Sequence, residues 1–424
     1  MTDAHYLVRP AGPLNGEVTI SGAKNSVLKL MAATLLAEGT HTLTNVPDIT
    51  DVWIMAELLE SLGQHVDFDP ISHTLTIDTP ATGDLVPVGT YERMVKLRAS
   101  IVVLGALVGR CRRAEVAQPG GDDFGQRPID YHVDGLEALG VEFKERHGSL
   151  VADGTHLAGG VVILEFPSHT ATDNVLMAAV LAPGKTVIEN AAREPEVIDL
   201  ADMLNEMGAR IVGAGTSRVE IEGVARLNPA SHRVIPDRVE AATYLAATAI
   251  AGGEVRINEI CADHMVMLLR KVQAIGVTIE STPDRLHVRG DGRLTGIDVA
   301  TLPYPGVATD YQPLIVTMLA VAKGVSVVTE NLYSGRFRYI DELRRMGADI
   351  STEGHHVVVR GVPRLSGAPV TALDIRAGVA LVVAGLVAEG ESRVFGASHI
   401  RRGYERIEEK LRGLGANIVR EDEA

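Results

Sequence analysis

The segment VLKLMAATLLAEG, Val27 to Gly39, is apolar on nearly every face, whereas AELLESLG, Ala56 to Gly63, keeps its apolar residues at helical spacing. The first reads as a buried helix and the second as an amphipathic one. A β-type run separates them. After them, HVDFDP and TLTID alternate with a period of two, as half-buried strands do. Each helix is expected to stop at its glycine, which supplies a left-handed C-cap.

This order recurs. LLESLG at Gly63 returns as GLEALG at Gly140, MLNEMG at Gly208, KVQAIG at Gly276, ELRRMG at Gly347 and KLRGLG at Gly415, at spacings of 77, 68, 68, 71 and 68 residues. A second marker precedes each copy, with glycines at Gly39, Gly109, Gly184, Gly253, Gly324 and Gly390. The chain is therefore read as six repeats of about 70 residues, each a helix, a strand, a helix and a strand pair. Only the second repeat is stretched, by PGGDDFGQRP, Pro119 to Pro128. Strands and helices sharing each core give an α/β fold. Small residues along the first helices (Ala32, Ala33, Ala179, Ala246, Ala247) suggest close packing. Three repeats per globular domain fit better than one solenoid, whose repeats run about 20 to 50 residues.

Length and charge narrow the picture. A chain of 424 residues exceeds one ordinary core. With 40 basic and 55 acidic residues its formal charge is −15, which argues against nucleic acid or an anionic membrane as a general partner. An anionic ligand then needs a local basic pocket. The start MTDAHYLVRP lacks a secretory pattern, and apolar runs such as Ile101 to Val108 are too short to span a bilayer. Two cysteines, Cys111 and Cys261, support neither a disulfide framework nor a multi-cysteine zinc site, so a reducing cytoplasm is expected. Walker and HExxH motifs are absent, GAGTSR opens no helix, and His355 and His356 sit at a strand edge. No metal and no cofactor are expected.

Candidate chemistry lies at the helix entrances. ISGAKNSVLKL places Lys24 and Asn25 ahead of an apolar helix. Helix amides and dipole attract anions there, although Ser21, Asn25 and Ser26 equally suit capping. Arg98 in KLRAS and Arg127 in FGQRPID precede further helices, the second next to a proline that can open one. The guanidinium fork suits phosphate or carboxylate, with surface salt bridging as the alternative. GRFRY (Arg336, Arg338), DIRAG (Asp374, Arg376) and HIRRGYERIEEKL (Arg401, Arg402) repeat the placement. PYPGVATDYQPL holds Asp310 in a loop entering a helix, either as a general base or, with Thr309, as an N-cap.

Taken together, SGAKNS, LRAS, PGG-x-x-x-G-x-RP-x-D, ENAAREPE, ATD-x-Q, DIRAG and HI-x-RGYERIE resemble the bacterial UDP-N-acetylglucosamine enolpyruvyl transferases, in family order along the whole chain. The resemblance implies two inside-out α/β domains of three repeats each, with the ligand cleft between them. The domains would be 24–234 and 1–23 plus 235–424. The implied reaction joins phosphoenolpyruvate to the 3'-hydroxyl of UDP-N-acetylglucosamine and releases phosphate, the first committed step of peptidoglycan precursor synthesis, without a metal. By the same resemblance Lys24 and Arg402 hold phosphoenolpyruvate with help from Arg127. Asn25, Arg98, the stretch Arg127, Pro128, Ile129, Asp130 and Tyr131, the corner at Ser168 and His169, Asp310 and Leu332 bind the nucleotide sugar. Arg336 and Arg376 join the substrate site, and Asp310 also accepts the hydroxyl proton.

Asp122 matches a loop position that is cysteine in most of the family and aspartate in a minority, and is implied to protonate the methylene carbon of phosphoenolpyruvate. A thiol with a pKa of about 8.5 is mostly protonated at pH 7, and an ordinary aspartate at about 3.9 is not, so this carboxyl must be raised. Asp123 and bound phosphate supply the raising charges, against Arg127. Because a carboxylate is a poorer nucleophile than a thiolate, insensitivity to the epoxide fosfomycin is expected. Three positions depart from the family: Arg401 where aspartate is usual, Thr170 where glycine is usual, and Phe166 where lysine is common. They motivate two rival readings, a paralogous transferase acting on another UDP-sugar or nucleotide, and a silent relative that only binds a UDP-sugar.

Overall fold

The computed structural model describes residues 4–121, 128–333 and 335–421. The chain divides into two compact units. Of the described residues, 22–121 and 128–235 form an inserted unit, and 4–21 with 236–421 form a terminal unit that contains both chain ends. Each has its own apolar core and three four-stranded sheets.

Inside the terminal unit the helices Arg238–Ala251, Gln312–Ala320 and Ile375–Gly385 pack on one another and are buried along almost their whole length. In the inserted unit Val103–Cys111 packs against Lys24–Ala33 and His169–Ala179. Helices that are apolar all round have no face to give to water, so they go inside and the sheets wrap them. The approach is close. A Cβ added to Gly105 would lie 2.2 Å from the carbonyl oxygen of Asn174, so only glycine fits where those two helices meet. The strands keep one face wet. In Arg218–Glu222, Val219 and Ile221 are buried while Arg218 and Glu222 are exposed, the alternation that an antiparallel sheet with a solvated face requires.

Every sheet has one plan. Val161–Ile163 runs parallel to Lys185–Glu189, which pairs antiparallel with Arg218–Glu222, which pairs antiparallel with Arg210–Val212. The parallel edge strand is an element that the periodicity does not reveal. Its counterparts Val88–Gly89, Ser231–Arg233, Val299–Ala300 and Pro369–Thr371 are two or three residues long, too short to show alternation. Leu14–Thr19 precedes the helix Lys24–Ala33 in the chain but pairs with Gly253–Asn258, and Ser231–Arg233 precedes Arg238–Ala251 but pairs with Gly39–Thr44. The last repeat has only one strand of its hairpin, Asn417–Glu421. His5–Arg9 supplies the other, lying between Ser392–Phe395 and Asn417–Glu421 in register Tyr6 to Val394 and Val8 to Ile418.

The glycine markers separate into two behaviours. Gly63, Gly140, Gly208, Gly276, Gly347 and Gly415 all take positive φ, as helix stops do. Of the earlier series, Gly39 opens the strand Gly39–Thr44 after a 3-10 turn, Thr34–Leu36, and does not cap the helix. Gly109 lies inside Val103–Cys111, and Arg112 (φ 57°) takes the left-handed position instead. A further device recurs at strand ends: the side-chain amides of Asn45, Asn190 and Asn331 donate to the carbonyls of Val234, Leu164 and Thr301 at 2.9, 2.8 and 3.0 Å. No helix among the described residues is long and apolar enough to cross a membrane.

Candidate active site

The inserted unit carries Lys24, Asn25, Arg98, the stretch from Pro128 to Tyr131, Ser168 and His169; Asp122, Asp123 and Arg127 lie outside the described residues. Lys24 and Asn25 are the first two residues of Lys24–Ala33, and its N-cap, Ala23, provides no side-chain bond. The serines expected as caps are committed elsewhere. Ser26 Oγ bonds to Asp199, and Ser21 belongs to the terminal unit, where its Oγ donates to Glu405 at 2.8 Å. Lys24 Nζ sits 3.1 Å from a carboxylate oxygen of Asp51, which is fully buried.

Arg98 begins the 3-10 helix Arg98–Val102, and its Nη2 donates to the carbonyl of Pro128 at 3.2 Å. Pro128 does not open the next helix, because Ile129 is the N-cap and Asp130–Glu137 follows. The buried His132 organises this corner. Asn174 Oδ1 accepts from Gly105 N at 2.6 Å, so Asn174 Nδ2 is the atom facing His132 Nδ1, also at 2.6 Å. His132 Nδ1 is therefore the acceptor, and Nε2–H donates to Thr170 Oγ1 at 3.1 Å. Burial and the Arg98 charge push its pKa down to about 3, so the ring is neutral at ordinary pH. Thr170, one of the departures from the family pattern, thus has a defined partner. Another, Phe166, stacks with Tyr131 at 6.5 Å between ring centroids and 22° between planes. Ser168 caps His169–Ala179 through its carbonyl, which accepts Thr172 N at 3.0 Å and Thr172 Oγ1 at 2.8 Å. His169 Nε2 contacts the ammonium of Lys29, itself 3.0 Å from Asp173 Oδ2. Burial pushes the Asp173 carboxyl up to about 7 despite Lys29.

The terminal unit brings Asp310, Arg336 and Arg376 into direct contact. Asp310 lies in the 3-10 turn Thr309–Tyr311 that leads into Gln312–Ala320, and the N-cap positions of turn and helix are Ala308 and Tyr311. Oδ1 accepts from Arg336 Nη2 at 3.0 Å and Oδ2 from Arg376 Nε at 3.2 Å; the arginine side chains are 3% and 6% exposed and the aspartate 24%. Burial works most strongly against both guanidinium charges, but Asp310 together with Asp374 and Glu330 at Arg336, and with Tyr404 and Asp237 at Arg376, raises both pKa values. Arg376 is fixed from behind as well. Asp374, the N-cap of Ile375–Gly385, accepts its backbone N–H at 2.8 Å, and its guanidinium stands 5.6 Å from the centre of the Tyr404 ring. The Tyr404 hydroxyl is 2.9 Å from Thr243 Oγ1, and burial pushes its pKa up to about 12. Thr309, the other expected cap, donates instead to Glu330 at 2.8 Å, and the Leu332 N–H donates to the same carboxylate. Arg402 follows Ala397–Arg401 as its half-buried C-cap, while Arg401 is exposed.

Sequence reasoning missed Asp51, Lys29, His132, Asp173 and Glu330, each of which meets a partner from another element of the chain. Lys29 and Tyr404 fall inside quoted motifs, ISGAKNSVLKL and GYERIE, but neither motif contains the partner. Among the described residues no three His, Cys, Asp or Glu side chains gather to hold a metal ion.

Known proteins resemble this chain in sequence and in fold. The family model described as EPSP synthase (3-phosphoshikimate 1-carboxyvinyltransferase) matches residues 8–411. UDP-N-acetylglucosamine 1-carboxyvinyltransferase of Nocardia farcinica is 49% identical over 424 residues, and that of Mycobacterium leprae 48% over 416, each covering 98% of both chains. Among solved structures, the enolpyruvyl transferase NikO from Streptomyces tendae superposes with a TM-score of 0.89 at 22% identity, covering 100% of both chains. EPSP synthase from Acinetobacter baumannii superposes at 0.76 and 19%, covering 99% of this chain and 100% of that one. At those identities the structures speak for the fold, and the family match and the near-full-length relatives speak for descent: the chain belongs to the EPSP synthase family of carboxyvinyl transferases.

Proposed function

We infer that this chain transfers the enolpyruvyl group of phosphoenolpyruvate to the 3'-hydroxyl of UDP-N-acetylglucosamine with release of phosphate, the step that opens peptidoglycan precursor synthesis. Relatives named for this activity align with it almost end to end at about half identity. In the geometry, the observation that carries the reading is Asp310, a partly exposed carboxylate with each oxygen held by a buried arginine. Two buried guanidinium groups hold the carboxylate in place where it can act as a base. It therefore takes the hydroxyl proton as the new C–O bond forms and the oxygen becomes acidic.

Lys24 and Arg402, helped by Arg127, hold phosphoenolpyruvate. Asn25, Arg98, Arg127 to Tyr131, Ser168, His169 and Leu332 hold the nucleotide sugar, and Arg336 and Arg376 serve the same substrate site. Asp122 gives a proton to the methylene carbon, which leaves the neighbouring carbon open to attack by the sugar oxygen. Loss of a proton from the methyl group so formed and departure of phosphate then restore the double bond. Both substrates suit a cytoplasmic location.

Phosphate release with the two substrates, run beside a panel of other nucleotide sugars, tests the reading. Asp310→Asn is expected to lower kcat by about 10² to 10⁴, the usual contribution of a general base. Turnover on a different nucleotide sugar alone, or binding of UDP-N-acetylglucosamine without turnover, would overturn it.

A further inference from the structure

Glu330 has no place in the assignments above, yet its carboxylate touches two of the loops they use. It follows the strand Val325–Thr329 and is 2% exposed. Oε1 accepts Thr301 Oγ1 at 2.9 Å, Leu332 N at 2.8 Å and Tyr333 N at 3.2 Å, and Oε2 accepts Thr309 Oγ1 at 2.8 Å. A carboxylate has about four lone-pair sites, so these donors fill it.

Other repeats act as an internal control. Where a strand end meets its parallel edge strand, Asn45 and Asn190 make the same amide-to-carbonyl bond as Asn331. The residue before Asn45 is Thr44, and the one before Asn190, Glu189, turns outward to the exposed Arg218. The asparagine thus closes the turn in those repeats with no buried carboxylate. Burying a charge is unfavourable by several kcal/mol unless partners compensate it, and a neutral side chain of similar size fills such a space at lower cost. In this protein the buried acid belongs to the repeat that holds Asp310.

We propose that Glu330 is a positioning residue, which fixes Thr309, and with it the adjoining Asp310, in register with the backbone at Leu332. Base and nucleotide-sugar contact are thereby set by one group. The proposal rests on the assignment of Asp310 and Leu332 above.

The test is steady-state kinetics on the full chain for Glu330→Ala, Glu330→Gln, Thr309→Val and Asp310→Asn, with the folded fraction of each measured by thermal melting. Thr309→Val cuts the link to Asp310 alone, so kcat falls about 10-fold while the KM for UDP-N-acetylglucosamine holds. Glu330→Ala cuts both links, so kcat falls about 10²-fold, the scale of a misplacement near 1 Å, and that KM rises as well. In Glu330→Gln the amide oxygen still accepts the three Oε1 donors and the amide nitrogen donates to Thr309, so turnover stays within about 5-fold of the parent. Parental kcat and KM per folded molecule in both Thr309→Val and Glu330→Ala, or a Gln variant as impaired as the Ala variant, overturns the proposal. If Glu330→Ala fails to fold, Thr309→Val and Glu330→Gln still decide it. Full activity in Asp310→Asn would instead sink the site assignment itself, whatever Glu330 does.

Discussion

At the scale of single residues, the paired groups of the inserted unit are set by who their partners are. His232 lies with Nε2 2.9 Å from Asp199 Oδ1 and Nδ1 2.9 Å from Glu206 Oε2. Burial would lower its pKa, but Asp199 and Glu206 outweigh it and push it up to about 9. A histidine raised from 6.5 contributes stability that is complete below pH 6.5 and is lost as pH rises through about 9. That difference is worth about 3 kcal/mol at most, less some screening at the half-exposed Glu206. Thermal melts across pH 6 to 10 are therefore expected to show the parent losing stability over this window. His232→Gln should be the less stable protein at pH 6 and nearly equal at pH 10. A constant gap between the two across the range would remove the doubly paired imidazolium from the account. None of this was visible in SHRVIP, because the acids that raise the histidine come from another repeat segment.

At the scale of elements, the six repeats use glycine for two different physical reasons. Gly415 takes φ 97° with no atom within 4 Å of an added Cβ, so it is needed for its backbone angle alone. Gly361 ends the strand His356–Arg360 in an ordinary conformation, but a Cβ there would lie 1.5 Å from the carbonyl oxygen of Ala322. Gly223, at the matching place in another repeat, would put its Cβ 1.6 Å from Ala182 O. Gly415→Ala is expected to lose about 1 to 2 kcal/mol, the penalty of a left-handed alanine. Gly361→Ala should lose about 3 kcal/mol or more, because backbone on both sides would have to move. Denaturant melts of the two variants check the order. The helix-stop glycines were legible from their spacing, whereas Gly361 reads as one more turn residue until the neighbouring helix end is in place.

At the scale of the whole molecule, the ends of the chain complete a sheet. Tyr6 and Val8 are fully buried in His5–Arg9, and the strand pairs on both sides. Burying side chains of this size is worth about 1.5 to 3 kcal/mol each, before the two ladders are counted. That is comparable with the roughly 5 to 15 kcal/mol of a folded domain. Removing residues 1–9 is thus expected to unfold the terminal unit while the inserted unit still melts as a separate transition. Calorimetry of the truncated chain checks this, and an unchanged thermogram would show that the strand is dispensable.

The sequence alone determined the sixfold repeat, which helices are buried and which are amphipathic, the alternation of the strands, and the motifs that carry the family resemblance. All of these are local, since periodicity and glycine placement respond to whether a residue meets water or a neighbouring turn. Tertiary structure alone decided that His5–Arg9 closes the last sheet, that Leu14–Thr19 and Ser231–Arg233 pair away from the helices they precede, and that Lys24 faces Asp51. It also decided that Thr309 and Asp310 turn from capping to Glu330 and two arginines. Charge pairs and strand neighbours depend on distance in space, and segments that lie apart in the chain carry no mark of it.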